Sequence, residues 1–281
     1  MEIFKTKSAL KAFLNPLKAS GKKIALVPTM GALHNGHISL IDLAKENADI
    51  IICSIFVNPT QFTDPKDLEK YPRPIEHDLA MLNQAGCHGV FMPNVEEMYP
   101  QGADENWHID LGNAEFLLEG AFRKGHYQGV TQIVKKLFDA VEPDVAMFGQ
   151  KDFQQVLMIK NMVAHFNLPI ILITCPIIRE EDGLAMSSRN IHLTAIDREN
   201  SLVLSKSLQF VIDNFEKLSL MELENRAKLF YQNLNGVELD YFTIANADTL
   251  EPAKLKNETN LVALVAARVG TTRLIDNMII K

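Results

Sequence analysis

The sequence predicts an α/β fold: a Rossmann-like doubly wound parallel sheet followed by a smaller C-terminal α+β domain. Three observations carry this expectation. Apolar runs of strand length alternate with stretches of helical spacing through the first two thirds of the chain. Those runs are apolar at nearly every residue, which marks strands covered on both faces. After Pro176 the order changes to long helical patterns followed by strand-like runs, the arrangement of a small α+β unit.

Taken in order, Lys23–Val27 reads as the first strand and a helix begins near Gly36. Ile50–Val57 is a second strand, Ile75–Ala85 a helix and Gly89–Met92 a third strand. Thr131–Val141 has helical spacing, Asp144–Phe148 reads as a strand, Phe153–Phe166 as a helix and Pro169–Cys175 as the last strand of the series. Right-handed crossovers between such strands give a doubly wound sheet, which binds ligands outside the carboxyl ends of its strands. Beyond it, Ala195–Phe215 and Leu220–Leu234 read as helices, and Val237–Ile244, Leu261–Val269 and Arg273–Ile280 as strands. The expected division is residues 1–176 for a nucleotide- and substrate-binding domain and 177–281 for a C-terminal lid domain.

Composition narrows the function classes. The 281 residues are 47% hydrophobic and 22% charged, with a net charge of −7. Acidic residues outnumber basic ones on both sides of residue 176, so neither part has the basic field that nucleic acid requires. No apolar run approaches the roughly 20 residues of a bilayer span, and Met1–Lys7 lacks the apolar segment of a secretory signal. Cys53, Cys87 and Cys175 are too few and too dispersed for a disulfide framework or a zinc site. A cytoplasmic protein without nucleic-acid or membrane partners is expected.

The polar motifs fall where the sheet should bind ligands. Pro28-Thr29-Met30-Gly31-Ala32-Leu33-His34-Asn35-Gly36-His37 follows the first strand and leads into a helix. A strand, a glycine-bearing turn and a helix start make a phosphate site, because N–H groups and the positive end of the helix dipole converge there. His34 and His37 would share one face about 5–6 Å apart if the helix includes both. A single histidine at a helix start is ordinarily a solvated or capping residue; two, with two glycines at a strand-to-helix junction, point to function. Asn58-Pro59-Thr60-Gln61-Phe62 follows the second strand and Gly149-Gln150-Lys151-Asp152-Phe153-Gln154-Gln155 follows another.

Each motif offers a definite chemistry. Lys151 is a mobile ammonium suited to a phosphate whose charge changes. Met186-Ser187-Ser188-Arg189-Asn190, after the turn-forming Asp182-Gly183-Leu184-Ala185, offers hydroxyls and a guanidinium on what reads as a flexible lid. Gln61 and Gln155 carry a donor and an acceptor without charge, which suits a small hydroxy acid. Phe56, Val57 and Phe62 offer an apolar wall for it or serve as plain core.

His-x-Gly-His at the end of a first strand resembles the signature of the nucleotidyltransferase superfamily of α/β phosphodiesterases. The likeness then narrows. PTMGALHNGH, FVNPTQF, YPR, GQKDFQQ and MSSRN occur in the order and spacing of the pantothenate synthetase (pantoate–β-alanine ligase) family, and the resemblance runs from about residue 22 to ARVGTTRLIDN. It implies the condensation of pantoate with β-alanine through a pantoyl adenylate, with ATP consumed, Mg²⁺ required, and AMP and pyrophosphate released. It also implies a cytoplasmic homodimer.

Carried over residue by residue, Met30, Gly31, Ala32, Leu33, His34, Asn35, Gly36 and His37 would line the ATP site. His37 would act as the acid assisting adenylation and His34 would contact phosphates, with Lys151 the third catalytic group. Gly149, Gln150, Lys151 and Asp152 would touch ribose and phosphate, and Ile178, Met186, Ser187, Ser188 and Arg189 would complete the nucleotide pocket. Gln61 and Gln155 would hold pantoate, Gln61 also lying near β-alanine. Asp78 matches a carboxylate associated with the metal. Thr60, Gln150 and Lys124 depart from the family's usual methionine, glutamate and proline, and none of these removes a group the chemistry needs. A nucleotidyltransferase acting on a phosphorylated metabolite would share His-x-Gly-His but need a second basic pocket in place of the two glutamines. A non-catalytic nucleotide-binding protein would bind ATP and release no pyrophosphate.

Overall fold

The structure, a computed structural model, describes residues 1–62, 65–102 and 106–281. The chain divides into two compact units, one comprising Met1–Gly149 and Gln155–Pro176, the other Gln150–Gln154 and Ile177–Lys281.

The first unit is built on six strands: β1 (Glu2–Phe4), β2 (Ile24–Thr29), β3 (Ile50–Ile55), β4 (Gly89–Phe91), β5 (Val145–Gly149) and β6 (Ile171–Cys175). They pair in the order β1-β4-β3-β2-β5-β6, and every pairing is parallel. Parallel pairing follows from composition, since successive residues of β2 and β3 are buried on opposite faces and each face needs a helical cover. On one face Ala25 and Val27 of β2, Ile51 and Cys53 of β3 and Met147 of β5 pack against Leu40, Ile41 and Ala44 of the helix Asn35–Asn47. Ile24, Leu26 and Ile52 point to the other face and are also fully buried. Each such side chain contributes about 1.5–3 kcal/mol through removal from water.

Strand order reverses at β2. The chain runs outward through β3 and β4, then returns to lay β5 on the other side of β2, so the switch point lies between β2 and β5. Leu26 is level with Ala146. Thr29 and Gly149 therefore end side by side at the carboxyl edge, where an open α/β sheet receives its ligands.

β1 and the helix Lys7–Ala19 are additions to the expected elements. The helix expected at Thr131 begins at His126, one turn and a half earlier. In the second unit, β7 (Val237–Asn246), β8 (Leu261–Val269) and β9 (Thr272–Ile279) form an antiparallel sheet in sequence order. Its buried face, including Phe242, Ile244, Ala263 and Val265, packs with Leu204, Leu208 and Val211 and with Leu223 and Ala227. The single helix expected over Ala195–Phe215 is two, Ala195–Ser201 and Val203–Asn214. Ser201 and Ser205 donate back to the carbonyls of Arg198 and Leu202, and hydroxyls that do so bend a helix. The turn Gln150–Asp152 packs with this second unit because buried Asn277 of β9 donates from Nδ2 to the carbonyls of Gln150 and Lys151, both at 3.0 Å.

Candidate active site

The turn after β2 is shaped by its sequence from Pro28 onward. Pro28 has no N–H to give the sheet ladder. Thr29 closes the strand with its side chain, donating from Oγ1 to Ser54 O at 2.6 Å and accepting from Gly31 N at 3.2 Å. Gly31 (φ +81°) and Ala32 (φ +51°) then lie in the left-handed region, and they turn the amides of Ala32 and Leu33 the same way. Both amides donate to one buried carboxylate, that of Asp78: Ala32 N to Oδ2 at 2.8 Å and Leu33 N to Oδ1 at 2.7 Å.

The helix does not include both histidines. His34 (φ −144°, ψ 176°) is its N-cap and His37 its third residue. Gly36 N donates to His34 Nδ1 at 3.1 Å and His34 N to His37 Nδ1 at 3.3 Å, a reciprocal capping box that brings the ring centroids to 4.1 Å. A nitrogen that accepts from an amide cannot carry a proton, so both rings are held as the Nε2–H tautomer. Whatever partner Nε2 meets, it meets as a donor. The turn's N–H groups, expected to await a phosphate, are thus engaged internally at residues 31 to 34 and at 36.

Gln61 sits on a short 3₁₀ turn, Pro59–Gln61, beyond β3. Its Oε1 accepts from Asn58 Nδ2 at 3.2 Å, and its Nε2 reaches Met30 Sδ at 3.2 Å, joining this loop to the His-x-Gly-His turn. Buried Asn58 is itself oriented, because Tyr99 donates its phenol to Oδ1 at 2.7 Å while Nδ2 also reaches Gly129 O. Burial raises the Tyr99 phenol above its ordinary value, so it stays a donor. His126 Nδ1 lies 2.7 Å from Gln61 O, and a Cβ on Gly129 would come within 2.5 Å of Thr60 O. Tyr99, His126 and Gly129 therefore fix Gln61. Gly129 carried no sequence signal of this role, since it lies before the helical spacing that begins at Thr131 and falls in the first turns of the helix His126–Val141.

A cavity of about 450 Å³ opens beside the turn, lined by Met30, Ile55, Phe56, Val57, Asp78 and Met92 among others. Phe62, which the sequence leaves open as pocket wall or plain core, packs edge-on against Tyr71. Gly149 ends β5, and a Cβ there would meet no described atom within 4 Å. Gln155 lies half-buried in the first turn of the helix Phe153–His165. The thiols of Cys87 and Cys175 are pushed up to about 11 by burial, and that of Cys53 is raised by the same cause, so none is a nucleophile at neutral pH.

Lys151, half-buried, belongs to a 3₁₀ turn that precedes its helix, and Gln150 Nε2 donates to Asn277 Oδ1 at 3.1 Å. The segment read as a flexible lid is tied down within the second unit. Met186 N donates to Ile178 O, pairing two of the expected nucleotide contacts, and Arg179 forks onto buried Asp276 at 2.7 and 3.0 Å. Arg198 bridges Glu180 and Asp182. Burial alone would raise both carboxyls, but hydrogen bonds outweigh it and hold each below its ordinary value: from Arg198 and Asn190 at Glu180, from Leu184 N and Arg198 at Asp182. Ser187 Oγ accepts from Arg189 N and caps the turn Ser188–His192.

Asp78 does not fit a protein-held magnesium site. Both of its oxygens are on backbone amides, and among the described residues no three His, Cys, Asp or Glu side chains gather as metal ligands do.

The Pantoate-beta-alanine ligase family model matches residues 2–279. A pantothenate synthetase of Acetivibrio thermocellus is 45% identical over the full length of both chains, and one of Porphyromonas gingivalis is 45% identical over 99% of each. Among solved structures, the Thermus thermophilus pantothenate synthetase superposes with a TM-score of 0.93 at 36% identity, covering 100% of this chain and 99% of that one. The pantoate–β-alanine ligase of Francisella tularensis, solved with β-γ ATP and β-alanine, gives 0.82 at 36% identity over 99% and 97%. Matched from its second residue to its third from last, the chain belongs to the pantoate–β-alanine ligase family.

Proposed function

We propose that the chain joins pantoate to β-alanine at the expense of ATP in two displacements. Pantoate's carboxylate attacks the α-phosphorus, forming an acyl adenylate and expelling pyrophosphate. The amine of β-alanine then attacks the acyl carbon, and AMP leaves. The observation that carries this reading is the pair of tautomer-fixed imidazoles at the β2 edge, joined through Met30 to an oriented Gln61.

His34 and His37 act as neutral Nε2–H donors to oxygens of the α-phosphate, opposing the charge that builds as phosphorus becomes pentacoordinate. The resemblance gives His37 the part of an acid; the capping geometry supports hydrogen-bond donation with its proton retained. Gln61, whose Oε1 is held by Asn58, offers Nε2–H to the carboxylate or hydroxyl oxygen of pantoate, and Gln155 holds the same substrate. Gly149 leaves room for the nucleotide backbone. Lys151, Ser187, Ser188 and Arg189 of the second unit are assigned to the nucleotide phosphates, and Gln150, Asp152, Ile178 and Met186 to the rest of the nucleotide, on the resemblance. Mg²⁺ comes with the triphosphate, as this ion commonly does, since no described residues form a cage for it.

A homodimer in the cytoplasm is proposed with it. Exposed Phe116 and Phe122, at 65% and 54%, offer apolar surface for such an interface, and sedimentation equilibrium tests it. Among the described residues no helix is long and apolar enough to cross a membrane.

A pyrophosphate assay with ATP and pantoate, followed by addition of β-alanine, tests the reaction. Pyrophosphate on the first addition and AMP on the second are expected. No release with pantoate, or transfer of AMP to a phosphorylated acceptor, would refute it.

A further inference from the structure

We propose that Asp78 is the positioning residue of the phosphate site, acting through the His34–His37 pair and not through a metal. The inference deepens the function proposed above and rests on it.

Successive amides that point one way in left-handed backbone make an anion-binding concavity, and in many proteins it holds a phosphate. Here the concavity at Gly31–Leu33 holds the chain's own carboxylate. Asp78 is 1% exposed, and each of its oxygens takes one amide at 2.7–2.8 Å. Such charge-assisted bonds to a buried carboxylate are among the strongest local restraints available. The mounting is rigid, because Asp78 lies in the first turn of the helix Ile75–Gln84 and its own amide donates to Pro74 O at 3.0 Å. His77 Nδ1, on an exposed side chain, stands 3.9 Å from Oδ1, beyond hydrogen-bond reach.

The restraint reaches the imidazoles through one peptide unit. Leu33 N is fixed on Oδ1, and the next residue is His34, the N-cap whose ring and amide complete the capping box with His37. Ala32 at φ +51° is held in left-handed backbone, which is costly for a non-glycine residue. Gly31 is required beside it, since a Cβ there would stand 2.9 Å from Asp78 Oδ2. Without the carboxylate two buried amides lose their acceptors, the turn relaxes, and the Nε2 donors move from the positions set for the α-phosphate. A misplacement of about 1 Å in such a donor can cost about 10²-fold in rate.

Asp78→Asn keeps the side chain's size but sets an amide donor against one of the two N–H groups. In the full chain, with β-alanine present so that the enzyme turns over, the kcat for pyrophosphate release falls about 10²-fold, with the pantoate KM and the half-saturating Mg²⁺ concentration each within about threefold of wild type. Placed on the double variant His34→Ala with His37→Ala, the same substitution costs no more than about threefold, because groups acting through one another are not additive. A loss that multiplies fully with that of the double variant overturns the proposal. So does a half-saturating Mg²⁺ concentration raised about tenfold or more with the rate restored by excess metal, which marks a metal ligand. Should Asp78→Asn fail to fold, Gly31→Ala, which pushes on the same carboxylate, is read in the same cycle against the same outcomes. Normal turnover in His37→Ala itself would remove the function proposed above along with this inference, whereas an additive Asp78→Asn removes this inference alone.

Discussion

Replacing Asn58 by aspartate separates orientation from mere presence of Gln61. The two side chains are nearly the same size, so the packing of a residue that is 1% exposed is preserved. Tyr99 OH and Thr60 Oγ1 still find an acceptor where Oδ1 stood, at 2.7 and 3.2 Å. What changes is the group facing Gln61 Oε1 and Gly129 O, now an oxygen where an amide donated at 3.2 Å to each. Two acceptors in contact repel, and Gln61 can relieve this by turning its amide through a half-turn, giving Nε2 to the new carboxylate. It then presents Oε1 to pantoate. A hydrogen bond to a charged group contributes about 1.5–3 kcal/mol, so losing it weakens pantoate by roughly 10- to 150-fold. ATP, bound by other groups, is affected within about threefold. Initial rates of pyrophosphate release, measured against each substrate with the other saturating, give the two KM values. An unchanged pantoate KM, or equal losses for pantoate and ATP, would refute the orientation assigned to Gln61.

His37→Ala lowers turnover by about 10²–10³ with the fold intact, the loss expected for one donor to a developing charge; steady-state rates and a thermal melt check both parts. Gly129→Ala drives a Cβ to 2.5 Å from Thr60 O. Overpacking against backbone costs about 1–3 kcal/mol, so its melting temperature falls and its pantoate KM rises together. Arg198→Ala lowers the melting temperature at pH 7, where Glu180 and Asp182 are ionised and paired. Because both have folded-state values below 4.5 and 3.8, their stabilisation is present above those values and is lost as pH falls through the lowered ones. The difference between variant and wild type therefore shrinks below about pH 4, as calorimetry across roughly pH 7 to 3 will show.

The parallel sheet was legible because its central strands are apolar on both faces, and Ile24–Val27 and Ile50–Ile55 admit no other cover. β1 was not, since three residues with one buried side chain carry no period, and only their pairing with Gly89–Phe91 of β4 makes them a strand. The helix start at His126 was hidden by Gly125 and Gly129, which lower helical propensity, and Gly129 is kept for the backbone of Thr60. The motifs located Gln61 and the histidines, but not what holds them. Tyr99 and Asp78 stand 41 and 46 residues away in sequence from the atoms they bond. Nothing local distinguishes them from a core tyrosine and a helix-start aspartate. His34 illustrates the limit within a motif: spacing gave a shared helical face, while the rotation of its backbone to φ −144° made it a cap.

An acidic chain must here bind two anions, and its net charge of −7 repels both. Attraction therefore has to be local, and the first unit achieves it by satisfying acceptors internally. His34 Nδ1, His37 Nδ1 and Gln61 Oε1 each accept from a neighbouring N–H, which leaves each side chain oriented to donate. Asp78 enters the same arrangement from the other side, as a carboxylate each of whose oxygens accepts one amide of the turn. Donors fixed in this way lose little freedom when phosphate or carboxylate arrives and need not reorient as charge moves to the α-phosphate oxygens. A field of mobile lysines would attract the same anions and hold none of them in line. The long-range fixation of a few neutral donors, more than their identity, is what makes this strand edge suited to adenylation.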